Sequence, residues 1–124
     1  MRTLVALAVV AMLGACSLNR PADSGYEAAV ALWTSAKAKP EYGPYADAFI
    51  DAQNAQRLDD NSGCYAKGVG TTVVLILEVG SSGRIDAAYS DGDSAKARCF
   101  RAAYLGAQMP IPPFFPFPMR MMMG

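Results

Sequence analysis

Three cysteines, Cys16, Cys64 and Cys99, are the residues of this 124-residue chain best suited to chemistry, and no histidine accompanies them. A cysteine nucleophile needs a neighbouring base to make its thiolate, and a serine triad needs an imidazole for the same reason. Both systems are closed to this sequence. Cys64 and Cys99 also lack Cys-x-x-Cys spacing, the signature of a redox dithiol or of half a zinc site. Two carboxylate pairs remain, Asp59-Asp60 and Asp91/Asp93, and each lies in turn-forming sequence where capping accounts for it. Asp59-Asp60-Asn61-Ser62-Gly63 has the composition of a calcium loop, but no glutamate follows at the bidentate position and residue 70 is Gly. Met121-Met122-Met123 offers soft sulfur of the kind copper favours, yet consecutive residues of a strand alternate faces and no histidine assists. The expectation is a protein that is not an enzyme and holds no metal or cofactor.

The first sixteen residues carry the strongest signal. Arg2 supplies a short positive segment, Leu4 to Leu13 an apolar helix-prone run, and Gly14-Ala15 two small residues before Cys16. Leu13-Gly14-Ala15-Cys16 resembles the lipobox of bacterial lipoproteins. That resemblance implies a diacylglyceryl group on the Cys16 thiol, removal of residues 1–15 as a signal peptide, and acylation of the new amine. The rival reading is an uncleaved anchor, but Leu4 to Ala15 offers about 12 apolar residues where a bilayer needs roughly 20. By the same resemblance, Ser17, where an Asp would retain such a lipoprotein at the inner membrane in enterobacteria-like sorting, implies the outer membrane, facing the periplasm. With Cys16 consumed by lipid, Cys64 and Cys99 are left as an even pair in an oxidising compartment, and a disulfide is the economical expectation. Such a bridge would add roughly 3.5–4 kcal/mol by the loop-entropy relation.

Removal of 15 residues from 124 leaves 109, enough for one domain with a modest core. The 11 basic and 11 acidic residues form no long run of one sign, which argues against a nucleic-acid partner. Residues 16–24 read as a lipidated tether, polar and proline-bearing. Residues 25–60 read as a helical segment. A first helix is capped from Asp23-Ser24, carries Tyr26, Ala29, Val30 and Trp33 on one face, and stops before Lys39-Pro40. A second runs from about Pro44 to Leu58 with Tyr45, Ala48, Phe49, Ala52, Ala55 and Gln56 along one side.

From residue 64 the period changes. Thr71 to Val79 is a β-branched strand, largely apolar on both faces up to Glu78, and is expected to be central, with helices covering one side. Gly80-Ser81-Ser82-Gly83 is a hairpin turn and Arg84 to Ser90 the returning strand. A helix from about Ser94 to Gln108 presents Ala95, Cys99, Ala102, Ala103 and Gly106 to the sheet, leaving Lys96, Arg98 and Arg101 in solvent. Phe114 to Met123 is a third strand at the sheet's edge, because Pro116 and Pro118 lack amide donors on the same side of it. A free polyproline-like peptide is the alternative for that tail. The fold class is therefore α+β: N-terminal helices, then a ββαβ module over residues 64–124 whose three-stranded antiparallel sheet has the order 2-1-3 and packs against a helix.

Thr72 to Gly80, Ser82-Gly83-Arg84-Ile85, the helix around Ala97 to Phe100, and Met109 to Pro113 together resemble the C-terminal domain of the TonB energy-transducer superfamily, in its cysteine-bearing branch. The transducers keep an uncleaved membrane helix and a long proline-rich spacer, and this chain has neither, so energy transduction is not implied. What the resemblance implies is a lipid-anchored protein-binding or structural module of the cell envelope, with an envelope protein as partner. The candidate binding edge is Phe114, Phe115, Phe117, Met119 and Met121. The alternative function is an inhibitor or immunity lipoprotein that blocks a toxin or an envelope hydrolase.

Overall fold

A computed structural model describes residues 25–124. The cap assigned to Asp23-Ser24, the tether and the whole of the Cys16 signal lie outside the described residues. The chain folds as α1 (Tyr26–Ala36), α2 (Tyr42–Gln56), a 3-10 turn (Cys64–Lys67), β1 (Val73–Val79), β2 (Ile85–Ser90), α3 (Ala95–Tyr104) and β3 (Phe117–Met123). The sheet is antiparallel with β1 between β2 and β3, the expected 2-1-3 order, and the class is α+β.

The central strand explains the layering. Val73, Leu75, Leu77 and Val79 are buried on one face of β1, in one core with Tyr45 and Phe49 of α2 and Ala97, Phe100 and Tyr104 of α3. Cross-strand partners share a face, so Met119, opposite Leu77, and Phe117, opposite Val79, complete this side. Ile76 points the other way and is also fully buried. Its neighbours in register are Tyr89 on β2 and Arg120 on β3. Gly25, at the start of α1, lies against the Tyr89 ring, and the Trp33 ring of α1 sits 5.3 Å from the Arg120 guanidinium carbon. α1 therefore covers the second face. Helices flank the sheet on both sides, not on one as the sequence suggested, and this is why Val74 and Ile76 on the second face of β1 are apolar.

The short connection between α1 and α2 passes round the outer edge of β3. Tyr42 stacks on Phe117 at 4.7 Å, and its hydroxyl donates to the Pro118 carbonyl at 2.8 Å. Tyr45 packs on the same ring and donates to the Pro110 carbonyl. α2 stops at Gln56, two residues before the expected end, because Arg57 takes a left-handed conformation with φ 53°.

α3 departs from expectation in length and in rotation. It ends at Tyr104 instead of Gln108; Gly106, at φ 89°, turns the chain so that Ala107 accepts from the Ile85 amide and Gln108 bridges Arg84. Its start is as expected, with the Ser94 hydroxyl accepting from the Ala97 amide at 3.1 Å. Its buried residues are Lys96, Ala97, Phe100 and Tyr104, while Ala95 and Ala102 are exposed. Two aromatic rings bury far more apolar area than a row of alanines, and they set the rotation of the helix.

β3 begins at Phe117, three residues later than expected, with Phe114 to Pro116 in the preceding loop.

Candidate functional site

The expected binding edge is divided by the fold. Phe117 and Met119 are core residues and cannot meet a partner. Met121 and Phe114 are half-buried; Phe114 packs on Phe117 at 4.8 Å and lies under the Lys39 ammonium at 4.3 Å. Of the five residues only Phe115 is broadly exposed. The free backbone of the edge is shorter still. In a strand, the N–H and C=O of one residue point to the same side. Val74 accepts from the Asp91 amide and donates to the Asp91 carboxylate, so it faces β2, and Val73, Leu75, Leu77 and Val79 must face β3. Their partners Phe117, Met119, Met121 and Met123 are then the bonded residues of β3, and Pro118, Arg120 and Met122 point outward. Pro118 has no donor, and Tyr42 takes its carbonyl. The open edge reduces to Arg120 and Met122.

A different site emerges between the end of α2, the loop that follows it and α3. It is an open cleft of about 460 Å³. Leu58, Ala102, Ala103 and the sulfur-bearing Cys99 give it an apolar floor, and Gln56, Arg57, Asn61 and Ser62 form a polar rim. The loop is held by its own bonds: Asn61 donates to the Arg57 carbonyl at 3.0 Å, and the Ser62 hydroxyl donates to the Asp59 carbonyl at 2.9 Å while accepting from the Cys64 amide. Gln56 donates to the Gln108 carbonyl. Among the described residues the Arg57 guanidinium meets only Asp60, at 3.6 Å on an exposed surface, an arrangement that contributes little and leaves its donors available. An apolar floor with a guanidinium and amides at its rim suits an apolar side chain flanked by a carbonyl or carboxylate.

Cys64 and Cys99 form the expected disulfide, with Cα atoms 5.5 Å apart. Its setting differs from expectation. Cys64 lies in the 3-10 turn, and Cys99 is half-buried in the cleft floor instead of facing the sheet. The bridge pins the turn to α3 and so shapes the cleft floor.

Asp59, Asp91 and Asp93, from the two candidate carboxylate pairs, are tied to structure. Asp59 accepts from the Tyr65 hydroxyl, Asp91 from the Val74 amide, and Asp93 pairs with Arg101 at 2.7 Å and Arg98 at 3.7 Å. The hydrogen bond from Arg101, with the charge of Arg98, holds the Asp93 carboxyl below its usual range. Arg101 also donates to Ser90 and is mostly shielded from solvent. Lys96 is the larger departure. Placed in solvent by sequence reasoning, it is 1% exposed, with its ammonium donating to the Gly68 and Thr71 carbonyls. The signal was its spacing, since 96, 100 and 104 fall on one helical stripe with Phe100 and Tyr104. Among the described residues no group of three or more acidic or cysteine side chains could hold a metal ion, and no helix is long and apolar enough to cross a membrane.

Comparison with known proteins returns no matching family, no matching curated protein and no matching solved structure, so the cleft and the divided edge are what the chain itself offers as evidence of function.

Proposed function

We propose that this chain is a lipid-anchored module of the bacterial cell envelope, tethered through Cys16 to the periplasmic face of the outer membrane, where it binds a protein partner. The observation that carries the reading is the α2–α3 cleft, a preformed apolar concavity with a cationic rim and no nucleophile or carboxylate pair at its floor. The disulfide at its floor supports an oxidising compartment, since such bridges rarely persist in the cytosol. The β2-β1-β3 order supports the resemblance to the TonB C-terminal domain, while the shortened β3 edge argues for recognition in the cleft rather than by an added strand. The favoured ligand is a segment of an envelope protein that presents an apolar side chain beside an acidic or carbonyl group, the latter meeting Arg57.

A photoreactive phenylalanine placed at Ala102, in the cleft, and separately at Asp47, on the exposed face of α2, tests this in intact envelopes. One adduct of defined mass is expected from position 102 and none from 47, and Leu58→Asp is expected to abolish it. Identical adducts from both positions, or none from either, would overturn the reading.

A further inference from the structure

The two helical layers arrange their exposed charges differently. On the α1 side, Lys37, Lys39 and Arg120 are exposed, and none forms an ion pair among the described residues. They alternate with aromatic and apolar groups. The Lys37 ammonium lies 4.2 Å from the Trp33 ring, Arg120 lies on the same ring, and Lys39 covers Phe114. Phe115 and Met122 are 65% and 61% exposed beside them. The outward face of α1, formed by Ala28, Ala31, Thr34 and Ser35, carries a single charge, Glu27, in the first turn and at the opposite end of the helix from Lys37. On the side of α2 and α3, across the sheet, Asp47, Asp51 and Asp60 are exposed together with Arg57 and Arg98, so charges of both signs are mixed there. Cations interleaved with aromatic rings and small residues make a surface suited to phospholipid headgroups, where rings enter the interface and cations meet phosphate.

We infer that the face built from the C-terminal half of α1 and the open edge of β3 rests on anionic headgroups of the membrane that holds the Cys16 lipid. The inference rests on the lipidation of Cys16 proposed above. Eight residues separate Cys16 from Gly25, and eight residues reach at most about 29 Å. The 11 residues of α1 add about 17 Å to its far end at Lys37. A domain on so short a leash meets the bilayer continually, and the cations Lys37, Lys39 and Arg120 select the face it presents: the end of α1 and the β3 edge are attracted, while the α2 side, where acids and bases are mixed, is not. The α2–α3 cleft, on the opposite side of the sheet, then opens away from the membrane toward a partner.

Trp33 is the only tryptophan of the chain, and it lies in the proposed contact. The full acylated protein is reconstituted into vesicles of phosphatidylcholine alone and of phosphatidylcholine with phosphatidylglycerol, and Trp33 emission and quenching by aqueous acrylamide are compared. In the anionic vesicles emission should move to the blue and quenching should fall, and both changes should vanish in about 1 M salt, where the screening length is about 3 Å. Each cation contributes roughly fivefold to occupancy of an anionic surface. The Lys37→Gln/Lys39→Gln/Arg120→Gln variant should therefore lose on the order of 100-fold in occupancy and show no difference between the two vesicle types. Comparing vesicles within one variant removes any direct effect of the substitutions on the ring. An acylated chain whose Trp33 is quenched equally in both vesicles overturns the inference alone. A mass spectrum showing Cys16 without acyl chains overturns the anchor and this orientation together. Shielding of Trp33 that requires an added envelope protein, and not anionic lipid, would make the face a protein interface and overturn the inference as well.

Discussion

Lys96 shows what one side chain does when burial contradicts its type. An ammonium withdrawn from water needs acceptors, and the Gly68 and Thr71 carbonyls supply them, so the residue fastens the loop before β1 to α3. Lys96→Ala, which removes the bonds and the packed stem together, is expected to cost about 2–4 kcal/mol. Lys96→Met keeps the stem and is expected to cost about 1–3 kcal/mol. Urea unfolding of the two variants separates the contributions, and equal losses would assign the whole effect to the ammonium. Glu78 carries the opposite problem, a half-buried carboxylate whose pKa burial pushes up. The native state then holds that proton to higher pH than the unfolded chain does. Burying the neutral acid costs nothing extra below the ordinary carboxylate range, and stability is lost as pH rises through the raised native value. The melting temperature of Glu78→Gln, followed against pH beside the parent, should gain on it across that window and run parallel to it above and below. A difference independent of pH would refute the burial of this charge.

At the level of elements, the hairpin, the three strands and the order of helices were legible because their signals are local. β-branched alternation writes β1, Gly80 to Gly83 write the turn, and Ser94 writes the start of α3. Gly83 has a second duty that no local pattern announces. It sits at φ 89°, donates to Gly80 and accepts from Met109, and a Cβ there would collide with the Met109 carbonyl oxygen. Gly83→Ala is expected to cost about 1–3 kcal/mol through strain and collision. Gly43→Ala, inside α2 where a Cβ would meet nothing, should instead stabilise by about 0.5–1 kcal/mol. Calorimetric melting of the pair checks the contrast. Helix rotation was less legible: alanines and Cys99 made a plausible seam on α3, and the choice between that seam and the Lys96/Phe100/Tyr104 stripe depends on the volume available under the sheet.

For the molecule as a whole, about a hundred described residues form one sheet between two helical layers, and a domain of this size has a stability of about 5–15 kcal/mol. The Cys64–Cys99 bridge closes a separation of 35 residues, which corresponds to roughly 3.5–4 kcal/mol. Its loss should therefore remove a large fraction of the total. Cys64→Ser/Cys99→Ser should unfold at correspondingly lower denaturant, and the parent should match it once a reductant is present. If the parent keeps its midpoint after verified reduction, the bridge does not constrain the unfolded chain.

The sequence by itself determined the α+β class and the 2-1-3 strand order, because each follows from periodicity and turn chemistry along the chain, and it pointed to the Cys64–Cys99 pair on the reading that assigns Cys16 to lipid. The tertiary structure alone decided which face each element turns inward. It placed α1 on the far side of the sheet, buried Phe117, Met119 and Lys96, left only Arg120 and Met122 on the open edge, and opened the cleft between α2 and α3. Those outcomes depend on how much volume and how many acceptors one element offers another across space, and no single stretch of sequence contains that information.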